Sequence, residues 1–430
     1  MKKLQQLFDS KLQSQLTPEV ILKKFIRGKF KAIGIILKEQ TLNELVNRIE
    51  NTDQNTFEIA TEDLQIDKSA ITTADETITA IKLEVDEADL QLFRDDFSSA
   101  MSEEYPNVVD KTARLILNKI QQDAAVTIKD NQKARKKFEA RLRKRWKEPF
   151  DLLELFVLLA LEAGAEFNEE YRALAAKDND LVFDVLTRLH ARGCQVASEV
   201  LTLIKAGFAD GAHSRWRTLH ELAVVAIFVA KHGREIAEQY LDHEFVEAHK
   251  AANQHERYRE AIGYEAFPPE ELAAIQTAYE EALNRYGSNF RHAYGWASST
   301  LNKISPTFSD IERDVELEKW RPYYKMASHN VHAGAKGITF RLGLLGGHQP
   351  VLLAGSTNTG FTDPAQGTAI SLMQISVTLL LTRPNLDVFV RCEMLKTIQD
   401  EIGDEFLKIQ QSIEAEHAAM QVQDLAKRGG

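Results

Sequence analysis

The chain has 430 residues, of which 44% are apolar and 27% charged, and its formal net charge is −11. A chain of this length usually forms more than one hydrophobic core, so two or three domains are expected. The acidic balance argues against a protein that coats DNA or RNA, although it is compatible with a local basic patch. Cys194 and Cys392 are the only cysteines. They exclude a disulfide framework and a four-cysteine zinc site, and they favour a reducing, cytoplasmic location.

Neither a secretory signal nor a membrane-spanning helix is predicted. The first ten residues carry charge without a following apolar run, so they do not predict a secretory signal. The most apolar segments are 152–165, which two glutamates interrupt, and 222–230, which is too short to cross a bilayer. Both segments predict buried core helices.

The N-terminal third has a mixed pattern. Residues 1–50 have the apolar spacing of helices. β-branched residues in 57–59 and 78–85 are compatible with a small hairpin, and the chain then becomes acidic over 84–104. We therefore expect residues 1–148 to form a separate, mostly helical region with acidic and basic segments.

A dense basic run over 133–147 precedes Pro149, which marks the predicted domain boundary. Phe138, Leu142 and Trp146 recur every four residues and give this basic helix one apolar stripe. Three interpretations are open. The helix is docked by its stripe and neutralised by the acidic segment, or it is an arm that binds RNA or phosphate, or it lies on a membrane surface. The candidate RNA-binding residues are Lys136, Lys137, Arg141, Arg143, Lys144 and Arg145.

Residues 149–430 have strong helical periodicity and are predicted to form the core domain. One interruption is 338–355, where two apolar runs flank a turn sequence and predict a β-hairpin insert. The predicted fold class is therefore all-α: a multi-helix bundle core with this small insert, and a separate N-terminal helical region. The predicted helices cover about 150–164, 178–206, 211–232, 234–260, 268–285, 310–334, 367–382 and 385–425.

The first polar cluster lies in the otherwise apolar helix predicted over 211–232. At about 100° per residue, His213, Arg217, His220 and Glu221 fall on one face. A helix that is apolar on its other sides belongs at the centre of a bundle. The cluster is either a buried ionic network that holds helices in register, or a site where arginine binds phosphate and histidine moves a proton. The candidate catalytic residues here are Arg215, Arg217, His220 and Glu221.

Arg215 and His220, with four residues between them, resemble the Arg-x(4–6)-His motif of HEPN (higher eukaryotes and prokaryotes nucleotide-binding) domains. HEPN ribonucleases are helical, usually dimeric and metal-independent, and their Arg and His act together on the scissile phosphate and the 2′-hydroxyl. The resemblance implies that Arg215 or Arg217 would hold a phosphate. His220 would be the general acid or base, with Glu221 orienting it. On an unbroken helix Arg215 and His220 point about 140° apart, so Arg217 is better placed to work with His220.

The second polar cluster lies in a helix that Pro322 is predicted to open. Tyr324, Ser328 and His332 are spaced by four and share a face of that helix. Ser328 and His332 are candidate catalytic residues that line a pocket shared with the first cluster. The alternatives are a purely structural helix, a metal site that recruits ligands from the first cluster, and a Ser328–His332 nucleophile pair. No His-Glu-x-x-His motif occurs, and neither a metal nor a cofactor is predicted.

Three segments resemble an uncharacterised bacterial family of helical proteins that has only a placeholder name. They are GAHSRWRTLHE at 211–221, ASHNVH at 327–332 and LLAGSTNTGFTDP at 352–364. The resemblance extends over about 200–390, and it implies that the three segments belong to one domain. It implies no activity.

The functional prediction is a cytoplasmic, metal-independent nuclease of the toxin or defence kind that acts on RNA, with a homodimer and RNA as its partners. The basic helix would guide RNA electrostatically. The first alternative is a non-catalytic interaction or scaffold protein in which the polar residues form only a buried network. The second is a metallo-hydrolase. A nuclease needs an open cleft or a dimer seam at His220, whereas a scaffold protein buries that side chain.

Overall fold

The structure is a computed structural model that describes residues 18–32, 35–51, 56–60, 64–66, 80–84, 87–345 and 352–428. The chain forms two compact units, 1–134 and 135–430. The boundary therefore precedes the one predicted at 148/149. The reason is that the apolar stripe of the basic helix packs in the core of the second unit: Leu142 and Trp146 are buried there, and Phe138 packs against them.

The first unit combines helices with two short antiparallel strand pairs. β1 pairs with β3, with Ile35 opposite Ile66, and β2 pairs with β4, with Phe57 opposite Leu83. The β2–β4 pair confirms that 57–59 and 78–85 contain paired strands, but β3 lies between them along the chain, so they are not the consecutive strands of a hairpin. The elements are α1 (Pro18–Ala32), β1 (Ile35–Leu37), α2 (Glu39–Asn51), β2 (Thr56–Ala60), β3 (Leu64–Ile66), β4 (Ala80–Glu84) and the first part of α3 (Glu87–Arg145).

The second unit is helical, which confirms the all-α fold class. Short 3₁₀ turns lie at Ser288–Arg291, Gly295–Ala297 and Glu318–Trp320. The α-helices after α3 are α4 (Lys147–Asp178), α5 (Leu181–Lys205), α6 (Ala209–His232), α7 (Arg234–Asp242), α8 (Glu244–Ile262), α9 (Pro269–Tyr286), α10 (Ser298–Leu301), α11 (Phe308–Asp314), α12 (Arg321–His329), α13 (Ala335–Thr339), α14 (Thr362–Leu380) and α15 (Leu386–Arg428).

Helix α6 is enclosed on every side. It packs against α5 and α14 within the bundle formed by α4, α5, α6, α14 and α15, and α7, α11 and α12 cover its remaining face. Its buried side chains include large residues such as Trp216 and Phe228 and small ones such as Ala212 and Ala223. The small side chains let neighbouring helices approach closely, while the large ones fill the space between them. The predicted central position of this helix is confirmed.

The segment predicted as a β-hairpin near 338–355 folds differently wherever it is described. Residues 338–339 end α13, and residues 340–345 and 352–355 contain no strand. The remaining residues of that prediction, 346–351, lie outside the described residues. Leu342 in this segment bonds to α6 instead: its amide donates to the Asp210 carboxylate at 3.0 Å. Just after the segment, the Thr357 amide donates to the carbonyl of Gly207, which precedes α6, at 2.8 Å.

A glycine lets α4 and α5 approach each other closely. A β-carbon at position 164 would lie 2.1 Å from Cε1 of the His190 ring. His190 is buried, and its Nε2 lies 3.1 Å from the Ser376 hydroxyl on α14. The imidazole therefore occupies the space that any other residue at position 164 would need, and it cannot move away without disturbing α14.

We predict that Gly164→Ala destabilises the protein although alanine is the better helix former. The clash with His190 should lower the free energy of unfolding by about 1–3 kcal/mol, more than the gain of about 1 kcal/mol in helix propensity. Gly211→Ala is the matched control, because its β-carbon meets neighbours only at 3.8 Å, and it should be neutral or mildly stabilising. Urea unfolding followed by circular dichroism measures both. Equal effects of the two substitutions would contradict the packing described here.

Candidate functional site

A buried ionic network joins α6 to α11 and α12. His220 Nε2 lies 2.9 Å from Glu312 Oε1, and the two side chains are 1% and 0% exposed. The other carboxylate oxygen, Oε2, forms an ion pair with Arg321, the first residue of α12. Burying a carboxylate is costly unless it is paired, and here each oxygen of Glu312 has a partner.

A second set of contacts surrounds Arg217. Its guanidinium lies 3.1 Å from Glu221 Oε1, which confirms the pair that their spacing of four predicted. The Tyr324 hydroxyl donates to the same carboxylate oxygen at 2.6 Å, and the Arg217 guanidinium lies 4.7 Å from the centre of the Tyr324 ring. Burial and the Glu221 carboxylate raise the pKa of Tyr324 above its usual range. Tyr324 is therefore a hydrogen-bond donor at any physiological pH.

Aromatic rings enclose the His220 imidazole. The ring centres of Trp216, Tyr324 and Phe308 lie 5.6, 5.9 and 6.1 Å from its own. Together with the Glu312 carboxylate, these rings leave the imidazole almost without contact with solvent. A substrate would have to displace at least one of them to reach His220.

Arg215, the arginine of the HEPN-like motif, does not join this network. It forms an ion pair with Glu199 on α5, and its guanidinium also donates to the Thr218 hydroxyl at 3.2 Å. This placement follows from the helical angle between Arg215 and His220, which sends the two side chains toward different neighbours.

Only one residue of the second cluster, Tyr324, contacts the first cluster. The single helix predicted over 310–334 is wrong, because the chain forms α11, a 3₁₀ turn and α12 there, and α12 ends at His329. Tyr324 reaches the network, but the Ser328 hydroxyl donates to the Tyr324 carbonyl at 2.8 Å within its own helix. His332 follows the end of the helix and is exposed. Ser328 and His332 therefore share no helical face, and neither lies within hydrogen-bond distance of His220.

Sequence reasoning missed Glu312 and Arg321. They lie in the charged stretch 310–321, whose other acidic residues include the exposed Glu316 and Glu318. No periodicity distinguishes the buried glutamate from its neighbours. The one available signal was indirect: a charged cluster inside an apolar helix requires counter-charges from another segment.

The basic end of α3 is docked by its apolar stripe, which was one part of the first interpretation; the ion pairs described for this end are to residues outside the acidic segment 84–104. Leu142 and Trp146 are 2% and 0% exposed, and the Trp146 indole donates to the Asn358 carbonyl at 3.0 Å. Arg145 forms an ion pair with Glu416, and Arg143 lies 3.9 Å from Asp151.

Four of the candidate RNA-binding residues are exposed and form no ion pair with any residue that the structure describes. They form a surface that we name the basic face: Lys136, Lys137, Arg141 and Lys144. At about 100° per residue, Lys137 and Lys144 point about 140–160° away from the buried Leu142.

The described residues offer no group of three or more His, Cys, Asp or Glu side chains placed to hold a metal ion. Cys194 and Cys392 are free thiols, and burial raises the pKa of the Cys194 thiol to about 12. Among the helices described here, none combines the length and the apolar character that a membrane span requires.

The fold and the network define a helical-bundle protein whose central helix carries a buried Arg/His/Glu cluster. Residues 183–349, which include both polar clusters, match the model of a family of unknown function (DUF5677). The match confirms the resemblance to a helical family with a placeholder name that the sequence indicated. No curated protein and no solved structure matches the chain. The looser resemblance to HEPN domains stays a prediction.

We predict that Glu312→Gln destabilises the protein strongly. The substitution keeps the shape of the side chain but leaves Arg321, which is only 22% exposed, without its anion, which should cost about 3–5 kcal/mol of unfolding free energy. Glu318→Gln removes the same charge from an exposed side chain six residues away and should change stability by less than about 0.5 kcal/mol. Chemical denaturation compares the two variants. A loss below about 1 kcal/mol for Glu312→Gln would show that the network is not a structural clamp.

Two buried histidines, His190 and His213, are neutral in the folded protein. Burial lowers the pKa of each to about 4. Since the unfolded chain binds a proton to each near pH 6.5, the stability that they contribute is complete above about pH 6.5 and is lost as the pH falls toward about 4. Within that window, each histidine should lower the free energy of unfolding by about 1.4 kcal/mol for each unit that the pH falls.

We therefore predict that His190→Gln flattens the pH dependence of stability. The slope of unfolding free energy between about pH 6 and 4.5 should fall by about 1.4 kcal/mol per pH unit. Leu186→Ala, a buried change one turn away on α5, should lower stability by about 2–5 kcal/mol without changing that slope. Urea titrations at several pH values separate the two effects. An unchanged slope in His190→Gln would count against the buried neutral imidazole.

Proposed function

We propose that the protein binds RNA through the basic face and does not cleave it, so that the polar network on α6 serves only to hold the helices together. This is the interaction-protein alternative, with RNA as the partner and a reducing cytoplasm as the location that the two free thiols favour. The observation that carries the proposal is the burial of the His220–Glu312 pair. A general acid or base must come within hydrogen-bond distance of the proton that it transfers. The His220 Nε2 atom is already hydrogen-bonded to the Glu312 carboxylate, and aromatic rings cover the imidazole.

RNA as the partner is supported by the basic face. Lys136 and Lys144 are eight residues apart, which corresponds to about 12 Å along a helix, so the face can contact several consecutive phosphates. Arg143 and Arg145 would contribute less, because acidic side chains of the same unit already neutralise them in part. The net charge of −11 repels nucleic acid elsewhere and confines binding to this face.

The nuclease of the toxin or defence kind is the second candidate. It is favoured by the convergence of Arg217, His220 and Glu221 on one face of α6, with a quarter of the Arg217 side chain exposed. The Arg217 Nε atom has no hydrogen-bond partner within the described parts of the chain. Cleavage would require RNA or the second subunit of a homodimer to displace Tyr324 from Glu221 and uncover His220.

The binding proposal predicts that charge reversal on the basic face weakens RNA binding. Lys137→Glu/Lys144→Glu should lower the affinity for a fluorescent single-stranded RNA about tenfold or more. It should also reduce the slope of log affinity against log salt by about 1.4, since each lost phosphate contact contributes about 0.7. The matched control is Lys396→Glu/Lys408→Glu on α15, which changes the same charge at exposed positions. Fluorescence anisotropy measures both, and an equal loss in the control would contradict binding at the basic face.

A cleavage assay with the same purified protein distinguishes RNA binding from RNA cleavage. Total RNA incubated with the wild-type protein in chelator should stay intact, and so should RNA incubated with His220→Ala. Fragments that form with the wild-type protein but not with a folded His220→Ala variant would favour the nuclease and overturn the non-catalytic proposal. Circular dichroism confirms that the variant is folded.

A further inference from the structure

An apolar groove lies between α4 and α15, which pack against each other in the second unit. Its volume is about 230 Å³, and its apolar lining residues are Leu159, Ala163, Met394 and Leu395. Met394 is 50% exposed, so the groove is open to solvent.

Helix α4 extends this apolar surface beyond the groove. Leu155 and Leu158 lie four residues before Leu159 and Glu162, which line the groove, so they share one side of the helix with them. Leu161 lies three residues after Leu158. The three leucines 155, 158 and 161 are 47–55% exposed. A helix on the surface of a bundle ordinarily has polar residues at such positions, so this face of α4 is unusually apolar.

Helix α15 extends the surface on the other side of the groove. Val390 lies four residues before Met394, and Leu386 lies four residues before Val390 and three before Phe389. These four side chains are 50–77% exposed. Together with the three leucines of α4, they form what we name the outer apolar surface.

The area of the outer apolar surface is what a stable dimer needs. Because a large apolar side chain has roughly 150–200 Å² of accessible surface, its seven residues expose on the order of 600–700 Å². The largest apolar patch on a typical monomer is about 300–600 Å². Two copies of the surface would bury roughly 1,300 Å² together, within the range of about 1,200–2,000 Å² that is typical of specific protein–protein interfaces.

The charged residues of the groove fit a second copy of the same chain. Glu166 and Arg391 form an ion pair at 2.6 Å, and both side chains are partly exposed. Glu162 also lines the groove, is exposed, and forms no ion pair with a residue that the structure describes. Two copies related by a two-fold axis place the same surface against itself. An axis perpendicular to the surface reverses the direction of the Glu166–Arg391 pair, so each arginine can approach a carboxylate of the other copy.

The same charges disfavour a lipid surface or a nucleic acid as the occupant. Arg391 is the one basic residue of the lining, and Glu166 already neutralises it. Proteins bind anionic headgroups and phosphates through several lysines or arginines, which this groove does not offer.

We propose that the outer apolar surface is the interface of a homodimer, in which α4 and α15 of two copies pack around a two-fold axis. The surface lies on α4 and α15, whereas His220 lies on α6 beneath α11 and α12. This dimer therefore differs from one whose second subunit would uncover His220. The proposal depends neither on RNA binding by the basic face nor on RNA cleavage.

Sedimentation velocity of the full-length protein, over a series of concentrations, tests the proposal. The protein should have twice the mass of one chain at high concentration and dissociate on dilution, with a dissociation constant of about 10 µM or lower. A single chain at every concentration up to about 100 µM would overturn the proposal.

Substitutions on either helix locate the interface. Leu158→Glu and Val390→Glu each place an unpaired charge in the proposed interface, so each should raise the dimer dissociation constant about tenfold or more. The matched control is Ile304→Glu, the same kind of change at a side chain that is 71% exposed outside the outer apolar surface, and it should dimerise like the wild type. Circular dichroism confirms that the three variants are folded, as expected for changes at exposed positions.

An exchange of charges tests the two-fold arrangement. Arg391→Glu should raise the dissociation constant about threefold or more, and adding Glu166→Arg should restore dimerisation. Wild-type and doubly exchanged chains should each pair with themselves in preference to each other, since a mixed dimer opposes like charges. Energy transfer between fluorescently labelled chains measures this preference. A random mixture would contradict the proposed contact, because exchange within one chain alone would not sort the copies.

Three further results would overturn the proposal. One is a dimer that neither Leu158→Glu nor Val390→Glu weakens, which would place the interface elsewhere. Another is an equal loss of dimerisation in Ile304→Glu. The third is a protein that stays monomeric and cosediments with phosphatidylcholine vesicles unless Leu158→Glu is present, which would define a lipid-binding surface instead.

Discussion

One buried carboxylate, that of Glu312, is shared between His220 and Arg321, and the closed face of the bundle depends on it. Helices α11 and α12 have seven and nine residues, which is too short for stable helices in isolation. Tertiary contacts must hold them. Because Glu312 lies on α11 and Arg321 begins α12, the same carboxylate fixes both helices against α6. Hydrophobic packing alone would permit several registers, whereas a fully buried carboxylate that must keep both of its partners permits few.

The aromatic ring of Tyr324 adds to the stabilisation of the charged side chains in the network. Tyr324 hydrogen-bonds to Glu221, and the Arg217 and Arg321 guanidiniums lie 4.7 and 5.3 Å from its ring centre. Both cations are therefore stabilised by the ring as well as by carboxylates. Water is excluded from His220 and Glu312, which are 1% and 0% exposed, and its exclusion strengthens the interaction between these two side chains.

The features that the sequence predicted are those that local spacing determines. The Arg217–Glu221 pair follows from a spacing of four, and the docking of α3 follows from the stripe that contains Leu142 and Trp146. The enclosed position of α6 follows from apolar residues on all its sides. In each case one helix carries the whole pattern, so the pattern can be recognised without knowledge of the neighbouring helices.

The features that the sequence did not predict depend on distant segments. Glu312 lies 92 residues from His220, and nothing near Glu312 marks it as buried. The hairpin prediction failed because 338–355 has apolar runs typical of strands, while its Leu342 amide donates to Asp210 near the start of α6. The end of α12 at His329 removed the shared face of Ser328 and His332. Periodicity does not indicate where a helix stops when the cause is a contact with another element.

His213 and His220 provide an internal comparison that connects structure with function. They are seven residues apart, so they lie on nearly the same face of α6, and both are buried against the same indole. His220 has a carboxylate partner and its role in holding the fold is accounted for. His213 has equal burial, yet its ring nitrogens lack partners within the described residues, so the fold alone does not explain why a polar side chain occupies that position. A leucine or phenylalanine there would fill the same space without desolvating two polar atoms. On one helix, then, two equally buried histidines differ in that His220 has a carboxylate partner and His213, within the described residues, has no hydrogen-bond partner for either ring nitrogen.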